Sequence, residues 1–210
     1  TNHRMDDIRN VKAIDYSELL KKNNPEKFDS YFSKSANVLI EQIENLSKIA
    51  SSFSNFATMP EMKPLKIDLM ERLVSIVELF RNNYQNTEIE IKNDAENTFI
   101  MADPVQMTQV FNNLLRNAIQ AIPMERAGKI EIRLKNVENW LVVQVEDNGC
   151  GISDEIKEKM FLPNFTTKSS GMGLGLAIVK NIINMSNGDI SYTSVEGEGT
   201  LISLRFPIVG

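Results

Sequence analysis

At 210 residues the chain has room for one full α/β domain and a smaller appendage, and its 42% hydrophobic and 24% charged content is ordinary for a protein that buries a core. A net charge of −5 and a pI near 5.1, with no basic run, argue against a nucleic-acid-binding surface. With Cys150 as its one cysteine the chain has no internal disulfide, which suits a reducing, cytoplasmic setting.

No run of about 18 apolar residues and no signal peptide is present. The chain begins without Met, which leaves room for an upstream segment, and a membrane association would come only through such a segment.

Residues 1–24 are polar and irregular and end in K-K-N-N-P. After Pro25 a seam appears: Phe32, Ala36, Leu39, Ile43, Leu46, Ala50, Phe53 and Ala57 follow at spacings of 4, 3, 4, 3, 4, 3 and 4. Such a heptad pattern predicts a helix that meets another helix. Ile40, Ile49 and Phe56 widen the stripe, so a helical bundle fits better than a two-stranded coiled coil. The alternative is a helix packed on its own domain. Met59-Pro60 to Pro64 ends the helix and makes a short linker.

From Leu65 strands and helices alternate. Strands are expected at 65–68, 88–92, 98–102, 129–135, 140–146, 189–195 and 201–206, the last two forming a hairpin through G-E-G-T. Helices are expected at 69–83, 104–122, 154–160 and 174–185. Asp103-Pro104 is a strong start for the second, with Gln106 where a capping-box partner belongs. Residues 140–146 (W-L-V-V-Q-V-E) are nearly all apolar, the mark of a central strand. Without strict βαβ alternation, the fold class is a two-layer α/β sandwich with a mixed sheet.

Three stretches carry chemistry. On the helix at 104–122, Gln106, Gln109, Asn113, Arg116, Asn117 and Gln120 form a polar half, with Asn113 and Asn117 one turn apart on one face. Asn is a mediocre helix former, and an amide oxygen is a hard ligand of the kind Mg²⁺ accepts; a plain solvated face is the alternative. D-N-G-C-G at 147–151 ends the central strand, where a carboxylate can accept from an exocyclic amine such as adenine N6; alone it is also a common turn. G-M-G-L-G at 171–175 opens a helix, and glycine backbone plus a helix N-terminus suits phosphate groups, with Thr166, Thr167 and Lys168 upstream in a lid-like run. It is neither a Walker A loop nor a dinucleotide fingerprint.

Together N-N-L-L-R-N-A-I-Q-A (112–121), D-N-G-C-G (147–151), F-L-P-N-F-T-T-K (161–168), G-M-G-L-G-L-A-I-V (171–179) and G-E-G-T (197–200) resemble the nucleotide-binding boxes of bacterial sensor histidine kinases, in order and spacing. The stretch L-I-E-Q-I-E-N-L-S-K-I-A-S-S-F-S-N-F-A is similar to the second dimerisation helix of the nitrogen-regulation type. The resemblance implies a helical dimerisation and phosphoacceptor-like segment at 1–60, a linker at 61–64 and an ATP-binding catalytic domain at 65–210. It implies Asn117 as Mg²⁺ ligand with Asn113 in support, and Asp147 on the adenine amine beside Gly149, Gly151 and Thr200. Gly171, Gly173 and Gly175 would line the phosphates beneath Thr167 and Lys168. Gln120, Ile152, Leu174 and Leu176 complete the implied nucleotide site. The implied partners are a second copy, through the helix at 28–57, and a response regulator receiver domain.

Related ATPases of the gyrase, mismatch-repair and heat-shock-chaperone types carry a general-base Glu where Asn113 stands, and Asn accepts no proton near neutral pH. That favours phosphoryl transfer to a protein side chain over rapid hydrolysis. The expected acceptor, a His followed by Glu-Ile-Arg/Lys-Asn-Pro, is not recognisable. His3 is the one histidine, and in Asp6-Asp7-Ile8-Arg9-Asn10-Val11 Asp6 stands where the His belongs. The expectation is a histidine kinase core. The alternatives are an ATP-binding pseudo-kinase that signals through its dimer and a chaperone-type ATPase switch.

Overall fold

The computed structural model describes residues 25–57, 61–163, 165–166 and 173–210. The chain forms two compact units that divide between Ser54 and Asn55. The first carries most of helix α1 (Pro25–Ala57). Of its seam, Leu39, Ile43 and Leu46 are 62%, 65% and 65% exposed, so these three find no cover among the described residues. The expected break at Met59-Pro60 lies outside the described residues.

The second unit runs β1 (Leu65–Asp68), α2 (Leu69–Asn83), β2 (Thr87–Asn93), β3 (Phe99–Ala102), α3 (Pro104–Ala121), β4 (Gly128–Val137), β5 (Trp140–Asp147), α4 (Asp154–Lys157), α5 (Gly175–Met185), β6 (Asp189–Val195) and β7 (Gly199–Pro207). Five strands make a mixed sheet in the order β2-β4-β5-β7-β6, with only β2 and β4 parallel. Strand β5 is central, as its unbroken apolar run requires. Strands β1 and β3 stand apart as an antiparallel pair, joined to the chain end by the Ile100–Ile208 bridge.

The core lies on one face of the sheet. Ile130, Ile132 and Leu134 of β4, Leu141, Val143 and Val145 of β5, and Leu204 and Phe206 of β7 point there, meeting Leu73 and Val77 of α2, Phe111 and Leu115 of α3, and Val179 and Ile183 of α5. Phe111 and Phe206 are fully buried, and truncating such a ring to Ala costs about 3–5 kcal/mol. The opposite face carries Glu131, which pairs with Lys92 and Arg133. This is the two-layer mixed-sheet sandwich that the strand and helix order predicts.

Both long capped helices begin on an aspartate. Asp68 accepts from the N–H groups of Met70 and Glu71 to start α2. Asp103 does the same for α3 with Val105 and Gln106, and its second oxygen takes the Lys63 N–H at 3.0 Å. Partial burial opposes charge on Asp103, yet the three N–H donors outweigh it and hold its pKa below the ordinary 3.8.

Two expectations are corrected. The helix at 154–160 stops at Lys157, because Lys159 and Leu162 close successive tight turns on Ile156 and Lys159 while Met160 is drawn into a buried position. Gln106 is not on a solvated face but 6% exposed: one turn before Val110, it lies at the edge of the buried stripe. No helix among the described residues is long and apolar enough to cross a membrane.

Candidate functional site

Helix α3 presents Asn113 and Asn117 half-buried, while Arg116 and Gln120 are exposed. Glycine 175, the first residue of α5, lies directly against this face: a Cβ on it would stand 3.5 Å from Asn113 Oδ1. The second glycine stretch and the paired-Asn face, separate in sequence, therefore adjoin in the fold. Ala would fit at that distance, so the missing side chain serves to keep the space open rather than to avoid a clash.

The N-terminus of α5 differs from those of α2 and α3. Leu174 occupies its cap position without a side-chain cap bond, and its own side chain is in the core at 4% exposure. Leu176 also packs against the core, so both leucines offer the site backbone rather than side chain. Gly173 precedes them with φ +65°, a conformation L side chains rarely adopt. A helix start of this kind presents N–H groups and a positive dipole end to an anion.

The Asp147–Gly151 turn is sewn to three neighbours. Asp147 Oδ1 accepts the Gly149 N–H at 2.9 Å, and the Cys150 N–H reaches Ala121 O at the end of α3 at 2.8 Å. Asn148 ties the turn to the start of β4 through Lys129 N–H and Ala127 O. On the far side, Gly197 N–H donates to Cys150 O at 2.7 Å. The backbones meet so closely that a Cβ on Gly151, at φ +67°, would lie 2.0 Å from Val195 O, and one on Gly199 2.0 Å from Asp147 O.

Thr200, 7% exposed, is the cross-strand neighbour of Asp147. Its hydroxyl lies 2.9 Å from Ser194 Oγ, which also donates to Gly199 O and accepts the Ile152 N–H. Asp147, Ile152 and Thr200 thus share one corner. The sequence reading missed three supports of that corner: Asn148, Ser194 and Arg126. Arg126 donates from Nη1 to Asn148 O and Gly149 O (2.8 Å) and from Nη2 to Gly197 O at 3.0 Å. No sequence signal could have found Arg126, because its partners are backbone carbonyls 22, 23 and 71 residues away.

The start of the lid run is anchored. Phe161 packs on the Tyr192 ring at 5.7 Å with Lys180 Nζ 5.4 Å from its own ring centre, and Tyr192 OH donates to Lys157 O at 2.8 Å. Thr167, Lys168, Gly171, His3 and Asp6 lie outside the described residues.

No group of three His, Cys, Asp or Glu side chains among the described residues is placed to hold a metal. A hard cation that takes one amide oxygen and fills its shell with water and phosphate fits the Asn113–Asn117 face; a fully protein-ligated ion does not. An open cavity of about 620 Å³ is lined by Tyr84, Gln85, Ile119, Ile122, Met124 and Arg126, and none of the site residues read from the sequence lines it.

The histidine kinase-, DNA gyrase B- and HSP90-like ATPase family matches residues 102–210. The sensor histidine kinase ZraS of Salmonella typhimurium is 31% identical over 176 residues, covering 83% of this chain and 38% of that protein. The NtrY-like sensor histidine kinase named in Rickettsia conorii is 34% identical over 195 residues, covering 90% of this chain and 32% of its own length. This chain thus spans about two fifths or less of these relatives. Among solved structures, the catalytic domain of histidine kinase ThkA in a nucleotide-free form aligns with TM-score 0.63 at 33% identity, over 70% of this chain and 96% of that one. ThkA in complex with the response regulator TrrA aligns with TM-score 0.68 at 26% identity, over all of this chain and 61% of ThkA.

Proposed function

This chain belongs to the histidine kinase-, DNA gyrase B- and HSP90-like ATPase family, and from that premise we propose that it binds Mg-ATP and passes the γ-phosphoryl to a histidine, for relay to an aspartate of a response regulator. The observation that carries the reading is Gly175 seated against Asn113: it sets a helix start without a side-chain cap beside a face of amide oxygens.

Each residue then has a task. Asp147, its Oδ1 already aimed by the Gly149 N–H, accepts from the adenine amine, and Thr200 backs it from the next strand. Gly171, Gly173, Gly175 and the first N–H groups of α5 receive the phosphates, with Thr167 and Lys168 contributed by the lid run. Asn117 would hold Mg²⁺ with Asn113 in support, and the bound ion would supply charge neutralisation at the phosphate oxygens. In the transfer an acceptor imidazole nitrogen forms the new bond to phosphorus as the bond to the ADP oxygen breaks. Asn113 draws no proton from water, so hydrolysis does not compete strongly.

The α1 stripe is the surface on which a second copy docks, making a helical bundle, and the chain works in the cytoplasm, where ATP and the receiver domain are found. The acceptor is a histidine supplied by another chain, or one lost or altered in this sequence; His3, followed by R-M-D-D rather than Glu-Ile, is the minor alternative. One observation favours a second reading: with no acceptor motif around His3, an ATP-binding pseudo-kinase would need only the nucleotide site and the dimer.

Incubation with γ-labelled ATP, with and without a partner carrying an intact acceptor His, tests this. Label on the protein supports the kinase. Binding without transfer indicates the pseudo-kinase. Rapid phosphate release with neither acceptor nor label overturns the role given to Asn113 and leaves an ATPase switch.

A further inference from the structure

Arg126 is singled out by no motif, yet its one guanidinium joins the α3–β4 loop, the Asp147–Gly151 turn and the β6–β7 hairpin at a single point. One nitrogen holds two consecutive carbonyls of the Asp147–Gly151 turn, Asn148 O and Gly149 O, and the other holds Gly197 O at the tip of the β6–β7 hairpin. No described carboxylate pairs with it, so its charge is directed at carbonyl dipoles. Charge-assisted bonds of this sort are about twice as strong as neutral ones, and a planar fork serves two acceptors at fixed separation where an ammonium does not. The loop that carries Arg126 is itself turned by the Arg126 N–H on Pro123 O at 3.0 Å.

What the clamp fixes is a direction. The carbonyls of Asn148 and Gly149 are held outward on Arg126, while the Gly149 and Cys150 N–H groups turn toward Asp147 Oδ1 and Ala121 O. Release of those carbonyls frees the peptide that aims the Asp147 carboxylate. The Gly197 bond adds a second restraint, for the hairpin it holds also carries Thr200, directly across from Asp147.

We propose that Arg126 is a positioning residue for base recognition: it sets the Asp147 carboxylate for an exocyclic amine and so governs discrimination of adenine from a base that lacks that amine. This rests on the reading of Asp147 as the adenine contact. It assigns Arg126 no contact with nucleotide and no part in phosphoryl transfer.

The test compares ATP with ITP, whose base has a carbonyl where adenine has its amine. Dissociation constants for both are measured by calorimetry on the whole chain, for the wild type, Arg126→Met and Arg126→Lys. The wild type is expected to prefer ATP. In R126M the ATP affinity falls about tenfold, which corresponds to ~1.4 kcal/mol, while ITP affinity holds, so the preference collapses. R126K, which keeps the charge but not the fork, lies between. A loss caused by general destabilisation would lower both affinities together, and circular dichroism reports whether each variant is folded. If R126M does not fold, R126K alone decides, by a preference reduced or intact. Equal loss for both nucleotides, or an unchanged preference in a folded variant, overturns the role of Arg126. A wild type that binds both equally overturns the adenine reading of Asp147 beneath it.

Discussion

Substitution of Gly151 by Ala puts the packing of the Asp147–Gly151 turn to a quantitative test. Gly151 has φ +67°, and a Cβ there would sit 2.0 Å from Val195 O and 2.7 Å from its carbonyl carbon. The left-handed backbone costs a non-glycine residue about 1–2 kcal/mol. The overlap is with backbone, so the hairpin must move off the turn, and the bonds that go first are Gly197 N–H to Cys150 O and Ile152 N–H to Ser194 Oγ. At about 1 kcal/mol net for each, the total reaches about 3 kcal/mol. For a chain of this size that lowers Tm by about 9 °C. Gly197→Ala is the control: φ is +85°, but nothing lies within 4 Å of its Cβ, so only the backbone term of ~1 kcal/mol applies, about 3 °C. Thermal melts followed by circular dichroism read both, and calorimetry reads the ATP affinity, which falls in G151A as Asp147 leaves its partner strand. If G151A melts with G197A, the turn is not held against the hairpin and the reasoning fails.

Gly175→Ala is expected to split stability from binding. Its Cβ finds ordinary contact with Asn113, so Tm stays within about 2 °C, while affinity for the ATP triphosphate falls because the open space is filled; a variant that binds as the wild type does would place the phosphates elsewhere. Ile43→Glu introduces charge at a position 65% exposed in the single chain, and light scattering should show a dimer become a monomer with the melt of the catalytic unit unchanged; a wild type that is monomeric contradicts the docking face. Asp103→Ala removes a cap that serves three N–H groups and costs ~1 kcal/mol at neutral pH. Because the folded-state pKa is depressed, that contribution is complete above the ordinary 3.8 and fades as pH falls through the lower folded value, so wild type and variant melt alike in strong acid; a gap that persists there would mean the carboxylate's charge is not what caps the helix.

The layered fold was readable because its signals are local. Alternation at 88–92 marked β2, a nearly unbroken apolar run marked β5, period-3.6 runs marked α2 and α3, and Asp103-Pro104 marked a start that the structure closes with two side-chain bonds. The failures sit where a tertiary preference overrides a local one. Gln106 has a polar side chain, but its place one turn from Val110 carries it inward. Residues 158–160 could continue a helix on composition, yet the burial of Met160 bends the chain into turns. Arg126 was invisible for a different reason: its partners lie 22, 23 and 71 residues away, and a carbonyl leaves no trace in a side-chain pattern.

The contrast between helix starts joins the fold to the chemistry. Backbone N–H groups at a helix start must be satisfied, and a carboxylate at the cap is the simplest means. This chain uses that device at Asp68 and at Asp103. At α5 it places Leu174, a core side chain with nothing to offer those N–H groups, and flanks it with Gly173 and Gly175. An aspartate there would cap the helix and repel an incoming triphosphate. Leaving the cap position without a carboxylate forgoes about 1 kcal/mol of capping and, on the function proposed above, suits those N–H groups to an anionic ligand. Asn113 and Asn117 follow the same logic across the gap, since neutral amides can take a cation and its phosphates without the repulsion that carboxylates would bring.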